Sequence, residues 1–199
     1  MELKNGVPAI TASSRAKWRS WLADNYSKES KVWLIIFHKD SGKPSVYYDE
    51  AVDEALCYGW IDSSIRKRDE ESYYQYFSKR KPKSNWSKVN KAKIKKLLAQ
   101  GIMAEPGLEM VRIAKETGTW TALDDVENLV IPTDLQTTFE QYDQAFNNFD
   151  AFPRSVKRGI LEWIFNAKRP ETRAKRVNET ATLAQDNIRA NQYRQPKKK

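Results

Sequence analysis

Apolar positions fall into two regimes along the chain. Up to about residue 80 they come in short dense runs, and beyond it they recur three and four residues apart. Trp18, Trp21 and Leu22, at i, i+3 and i+4 behind Ser13 and Ser14, predict a capped helix. Lys31–Lys39 (KVWLIIFHK), rich in β-branched and aromatic residues, predicts a buried strand that ends in the turn Ser41-Gly-Lys-Pro44. Tyr48–Tyr58 reads as a short helix capped by Asp49. Val52, Ala55, Leu56 and Gly59 lie on one face of it, and Glu50, Asp53 and Glu54 on the other. Trp60–Arg66 and Ser72–Phe77 read as strands joined through the charged Arg68–Glu71, a hairpin with no glycine at its turn. The three strands are expected to pair into a small antiparallel sheet.

After Pro82 the period becomes helical. Trp86, Val89, Asn90, Ile94, Leu97 and Leu98 form one face, ended by Gly101, and a second helix covers roughly Glu105–Glu116 and stops at Gly118. Pro132 opens a helix around Asp134–Tyr142, with Phe146, Phe149 and Phe152 expected as core anchors beyond it. Val156, Ile160, Trp163, Ile164 and Ala167 mark a helix closed by Pro170, and Ala174, Val177, Ala181, Ala184 and Ile188 mark the last one. The fold class is therefore α+β. A flexible arm (1–10) precedes an α+β part with a β-hairpin (11–82). A helical part sharing one core with it (83–190) and a disordered basic tail (191–199) follow.

Composition fits a folded chain, with 40% apolar residues and 12% aromatics, including seven Trp and nine Tyr. Cys57 is the only cysteine, which suits a reducing compartment. The start, MELKNGVPAI, has no apolar signal region, and the longest apolar run, Val32–Phe37, is far too short to span a bilayer. A cytoplasmic protein without a transmembrane segment is expected, and the oligomeric state stays open.

Charge changes the picture. Between Lys79 and Lys96 stand nine basic residues and no acid: Lys79, Arg80, Lys81, Lys83, Lys88, Lys91, Lys93, Lys95 and Lys96. Outside that stretch 26 basic residues balance 26 acids, so the net charge of +9 comes from it alone. Such a field points to an anionic partner: a phosphate group, an anionic lipid headgroup or a nucleic acid.

Three blocks carry a resemblance: Ala55-Leu-Cys-Tyr-Gly-Trp-Ile-Asp62, Lys79-Arg-Lys-Pro-Lys-Ser-Asn-Trp-Ser-Lys-Val-Asn90 and Ala167-Lys-Arg-Pro-Glu-Thr-Arg173. In order and spacing they resemble the bacterial YdeI/OmpD-associated proteins, also called bacteriocin-protection proteins, over about residues 10–190. Lys79 departs from the pattern, since many members carry proline there. The resemblance implies a link to tolerance of bacteriocins, antimicrobial peptides or envelope stress, and brings no enzymatic activity with it.

Two constellations bear on chemistry. If Ser87–Gln100 is a helix capped by Ser84 or Asn85, then Arg80, Lys81 and Lys83 sit beside its free N–H groups, a phosphate or carboxylate site. Tyr73, Tyr74, Tyr76, Phe77 and Trp86 flank it, and basic residues interleaved with aromatics suit single-stranded nucleic acid. A solvated lysine face is the plainer alternative. The second is Tyr58–Ser64, leading to Arg66. Strand alternation puts Trp60, Asp62 and Ser64 on one face, so Asp62 either pairs with Arg80 to fix the hairpin or meets a ligand.

Candidate ligand-binding residues are thus Tyr48, Trp60, Asp62, Arg66, Arg80, Lys83, Ser84, Trp86, Ser87 and Lys88. No catalytic residue, metal or cofactor is assigned. Cys57 and His38 form at most a formal dyad, and one His with one Cys cannot build a zinc site without several carboxylates. Glu50, Asp53 and Glu54 read as first-turn acids facing the helix dipole rather than as cation ligands. Arg173 and Arg176 are expected to clamp the helical part against acids such as Asp124 or Asp125, with a place on the basic surface as the alternative. Alternatives to the tolerance reading are a nucleic-acid-binding protein and a small-molecule enzyme with a pocket around Asp62 and Arg80 that uses Ser87 and Tyr48.

Overall fold

A computed structural model describes residues 2–192. The chain divides into two compact units, Met1–Thr121 and Ala122–Lys199.

The first unit is built on a five-stranded sheet of order β1-β2-β3-β5-β4. Its elements are β1 (Glu2–Lys4), β2 (Val7–Thr11), α1 (Arg15–Asn25), β3 (Lys31–Phe37), α2 (Tyr48–Cys57), β4 (Trp60–Lys67), β5 (Ser72–Lys79), α3 (Lys88–Ala99) and α4 (Glu105–Glu116). As expected, β3 and β4 both pair antiparallel to β5, with Trp33 opposite Tyr76 and Asp62 opposite Phe77. The expected arm at residues 1–10 is corrected over its described part. Asn5 (φ 52°) and Gly6 (φ 71°) both take the left-handed conformation of a two-residue hairpin turn, which folds β1 onto β2. β2 then runs parallel to β3, with Ala9 opposite Trp33, and α1 makes the crossover. The sheet is therefore mixed rather than antiparallel.

One face of the sheet carries the main core. Val32, Leu34, Ile36 and Phe77 from the strands pack with Trp18, Leu22, Ala55, Leu56, Trp86, Ile94 and Leu97. Each of the Val, Leu, Ile and Phe side chains among them contributes roughly 1.5–3 kcal/mol on burial. The Trp18 indole N–H donates to the Ala51 carbonyl at 3.0 Å, so its polar atom is satisfied inside the core. α3 and α4 bury Ile94, Leu97, Val111 and Ala114 in this same cluster. The unit consequently reaches residue 121 rather than ending near 82. The opposite face holds a smaller cluster of strand residues only: Val7, Ala9, Trp33 and Ile35, with Phe37, Tyr74 and Tyr76 packed against them.

α2 departs from its expected two-sided form. Residues 51–57 are all buried, including Asp53 and Glu54. Glu54 is tied to Arg15 at 2.5 Å and Arg19 at 2.6 Å, and Asp53 to Lys93 at 2.7 Å, so neighbouring helices neutralise its acidic face. Asp49 is inside the helix rather than its cap; Tyr47 holds that position, and its N–H donates to the Glu50 carboxylate at 3.4 Å. α3 is likewise capped by Ser87, not Ser84 or Asn85, with Ser87 Oγ accepting from the Asn90 N–H at 3.2 Å.

The second unit comprises α5 (Asp124–Glu127), α6 (Thr133–Phe139), α7 (Ala145–Asp150), α8 (Arg154–Phe165) and α9 (Pro170–Gln185). Its buried residues form a cluster of their own, among them Leu135, Phe139, Phe149, Ile160, Ile164, Val177 and Ala181. Phe149 and Phe152 are buried as expected, whereas Phe146 is 42% exposed. Arg173 grips Asp134 with two bonds, at 2.6 and 2.9 Å, in place of Asp124 or Asp125. Arg176 instead donates to the Trp163 carbonyl and lies 4.9 Å over its ring. Of the expected tail at 191–199, residues 193–199 lie outside the described residues. Among the described residues no helix is long and apolar enough to cross a membrane.

Candidate functional site

The chain leaves β5 at Arg80, whose backbone N–H donates to the Gly59 carbonyl at 2.9 Å. A turn at Pro82 brings Trp86 back beneath it, and the guanidinium carbon sits 3.7 Å from the Trp86 ring centroid. Nη2 donates to the Asn85 carbonyl at 2.5 Å. Arg80 is only 6% exposed, yet among the described residues its Nε has no hydrogen-bond partner. A buried guanidinium is ordinarily paired and fully hydrogen-bonded. Burial pulls the Arg80 pKa down to about 10, against the opposing pull of the Asp62 charge.

Asp62 stands in β4 opposite Phe77, hence on the helix-covered face with Trp60. Its Oδ2 accepts from the Tyr48 hydroxyl at 2.8 Å, at the start of α2. Burial and then this bond make Tyr48 hold its proton more tightly than a free phenol. The ion pair expected between Asp62 and Arg80 does not form among the described residues: Tyr48 is the partner of Asp62, and Asp62 acts on Arg80 through space. A β-bulge between Asp62 and Ile65 breaks the strand alternation just beyond it.

The structure thus brings Tyr48 to Asp62, Asp62 to Arg80 by charge, and Arg80 to Trp86. The other candidates are placed differently. Trp60 is wholly buried, edge-on to Trp21 at 6.0 Å, as a core residue. Ser87 caps α3, and the Ser84 N–H closes a turn onto the Lys81 carbonyl at 2.9 Å. Lys83 and Lys88 are exposed. Arg66 lines a groove of about 650 Å³ with His38, Lys67, Asp69 and Tyr73.

The basic segment does not present nine loose cations. Lys79 Nζ donates to the Ser27 carbonyl at 3.1 Å, Arg80 is stacked and buried, and Lys93 is committed to Asp53. Charge counting along the sequence carries no signal for these commitments, nor for the Glu54 cluster with Arg15 and Arg19. Cys57 is buried, and burial pushes its thiol pKa up, the reverse of an activated nucleophile. Among the described residues no group of three or more His, Cys, Asp and Glu could hold a metal ion.

Residues 10–110 match the model of a domain of unknown function (DUF8412), and residues 128–187 match the model described as "Bacteriocin-protection, YdeI or OmpD-Associated". Of the three blocks noted in the sequence, only 167–173 lies in the second match; the other two, with every candidate site residue, lie in the first. Neither a curated protein nor a solved structure matches the chain.

Proposed function

For a chain that belongs to the domain family of unknown function matched over residues 10–110, and whose residues 128–187 match the YdeI/OmpD-associated model, we propose that the N-terminal unit captures a small anionic ligand at Arg80. The observation that carries this reading is the state of Arg80: buried and, among the described residues, without an ion pair and with Nε unpartnered. A carboxylate or phosphate oxygen would supply both the missing acceptor and the missing charge. Asp62 adds selectivity. Its charge disfavours a second anionic group beside the first, while its free lone pairs favour a ligand that also carries a hydroxyl or ammonium donor.

The reading is binding rather than catalysis. Tyr48 and Cys57, the groups that a reaction would recruit, both hold their protons more tightly than usual. We assign the setting to the cytoplasm and the physiological role to tolerance of bacteriocins or envelope stress, following the family description. A chain of net charge +9 repels cationic peptides, so tolerance through direct peptide capture is disfavoured, and response to an anionic metabolite or headgroup is the physically easier route.

A thermal-shift panel of inorganic phosphate, acetate, and hydroxy- and amino-carboxylates tests the proposal. One class should raise the melting temperature saturably, with stabilisation of about 2.7 kcal/mol at a hundredfold excess over Kd. The shift should vanish in Arg80→Met. A shift of equal size in Arg80→Met would refute the site, as would the absence of any saturable shift across the panel.

A further inference from the structure

The second face of the sheet has a composition that the Arg80 site does not use. β3 and β5 set Trp33 opposite Tyr76 and Ile35 opposite Tyr74, and Phe37 continues the same face. The rings form one group: Trp33 meets Tyr76 at 4.7 Å and Tyr74 at 5.9 Å, both edge-on. Among the described residues only strand residues contribute to this cluster. Tyr74, Tyr76 and Phe37 are half-buried, with ring surface at the exterior.

Cations surround the rings. Lys4 lies 4.2 Å over Tyr74 and 5.9 Å over Trp33, Arg68 lies 6.0 Å over Tyr74, and Lys43 lies 5.3 Å over Phe37. The register puts Arg66 across from Tyr74, and Lys31 precedes Trp33 by two positions on the same face. Arg68 is shared by Glu2 and Asp69, and Lys43 is paired with Glu71, so the positive charge that remains on this face is that of Lys4, Lys31 and Arg66. Among the described residues the buried Trp33 indole N–H has no hydrogen-bond partner.

We infer that this face is a stacking platform for single-stranded nucleic acid, distinct from the basic segment 79–96. Two features select this partner. Cations around an aromatic centre complement a polyanion, and residues two apart on a strand present rings about 6.6 Å apart, which suits bases splayed singly rather than a continuous stack. A duplex hides its base faces, so single strands are preferred. Lys4 moves from Tyr74 to a phosphate as a base takes its place on the ring.

Fluorescence anisotropy of a labelled oligothymidine and a matched duplex, with the full chain, tests the inference. The single strand should bind at least tenfold tighter than the duplex. Its affinity should fall roughly tenfold between 50 and 200 mM salt. Tyr74→Leu with Tyr76→Leu keeps apolar bulk but removes stacking, and should weaken binding at least tenfold. Lys4→Glu with Arg66→Glu, changed at surface positions, should do the same and covers the case in which the leucine pair disturbs folding. Lys95→Glu with Lys96→Glu on α3 should change affinity less than twofold. The inference is overturned if no single strand binds or if duplex binds equally well. It is also overturned if the α3 pair abolishes binding that both sheet pairs leave intact.

Discussion

Replacing Gly107 by alanine tests the packing of the N-terminal unit through the sign of its effect. Gly107 lies in the first turn of α4, buried against the end of α2. A Cβ there would stand 2.2 Å from the Cys57 carbonyl oxygen, 2.7 Å from its carbon and 2.8 Å from the Leu56 oxygen. All three are backbone atoms, so no side chain can rotate away. Relief requires α4 to move by about 1 Å, which also strains the bond from the Ala104 N–H to the Cys57 carbonyl at 3.1 Å. Overpacking of this kind costs about 1–3 kcal/mol, and the strained bond adds about 1. Helix propensity opposes this by about 1 kcal/mol in favour of alanine. The net expectation is a loss of about 1–3 kcal/mol for Gly107→Ala. Gly159, inside α8, has nothing within 4 Å of its virtual Cβ, so Gly159→Ala should stabilise by about 0.5–1 kcal/mol. Urea unfolding of both variants reads the two signs. Stabilisation by Gly107→Ala would refute the close approach of α4 to α2.

Three further outcomes follow from the ionic contacts. Glu54→Gln leaves Arg15 and Arg19 without their shared carboxylate and should lower stability by about 3 kcal/mol in urea unfolding; a loss under about 1 would mean that the cluster is loose. For Arg80→Met, burial of the charge (its pKa pulled down to about 10) represents roughly 3 kcal/mol, against similar losses from the Asn85 bond and the Trp86 stack, so stability should change by no more than about 1 kcal/mol. A loss above about 3 would identify Arg80 as a structural lock rather than a binding residue. Arg173 holds the Asp134 carboxyl below its usual 3.8, so that contribution is complete above the unfolded value and is lost as pH falls through the lowered folded one. Asp134→Asn should therefore cost up to about 1 kcal/mol at neutral pH and almost nothing near pH 2; an equal difference at both pH values would contradict the pairing.

What the sequence disclosed depended on whether the signal was local. α4 was legible to its boundaries, because apolar positions recur at helical spacing and Gly118 stops the run. The β3, β4 and β5 set was legible from dense β-branched and aromatic runs. The β1–β2 hairpin was carried by a local Asn5-Gly6 turn signal, but its strands are short and Pro8 weakens the second. Glu54 and Asp53 looked solvated because helical periodicity cannot distinguish a wet acid from one neutralised by arginines 35 and 39 residues away. Arg80 counted as one cation in nine for the same reason. Its burial follows from the sheet edge at Gly59 and from Trp86 returning under it, neither of which spacing encodes. Phe146 failed as an anchor because a six-residue helix, α7, turns it outward between the buried Ala145 and Phe149.

The most direct measurement on the central claim is nitrogen-edited NMR of the arginine side chains while a carboxylate or phosphate identified by the thermal-shift panel is added. Arg80 Nε–H should shift saturably on addition and exchange more slowly with water once an acceptor occupies it, with Arg66 and Arg112 unmoved. An Arg80 Nε–H that stays constant while the ligand stabilises the protein would contradict capture at this guanidinium.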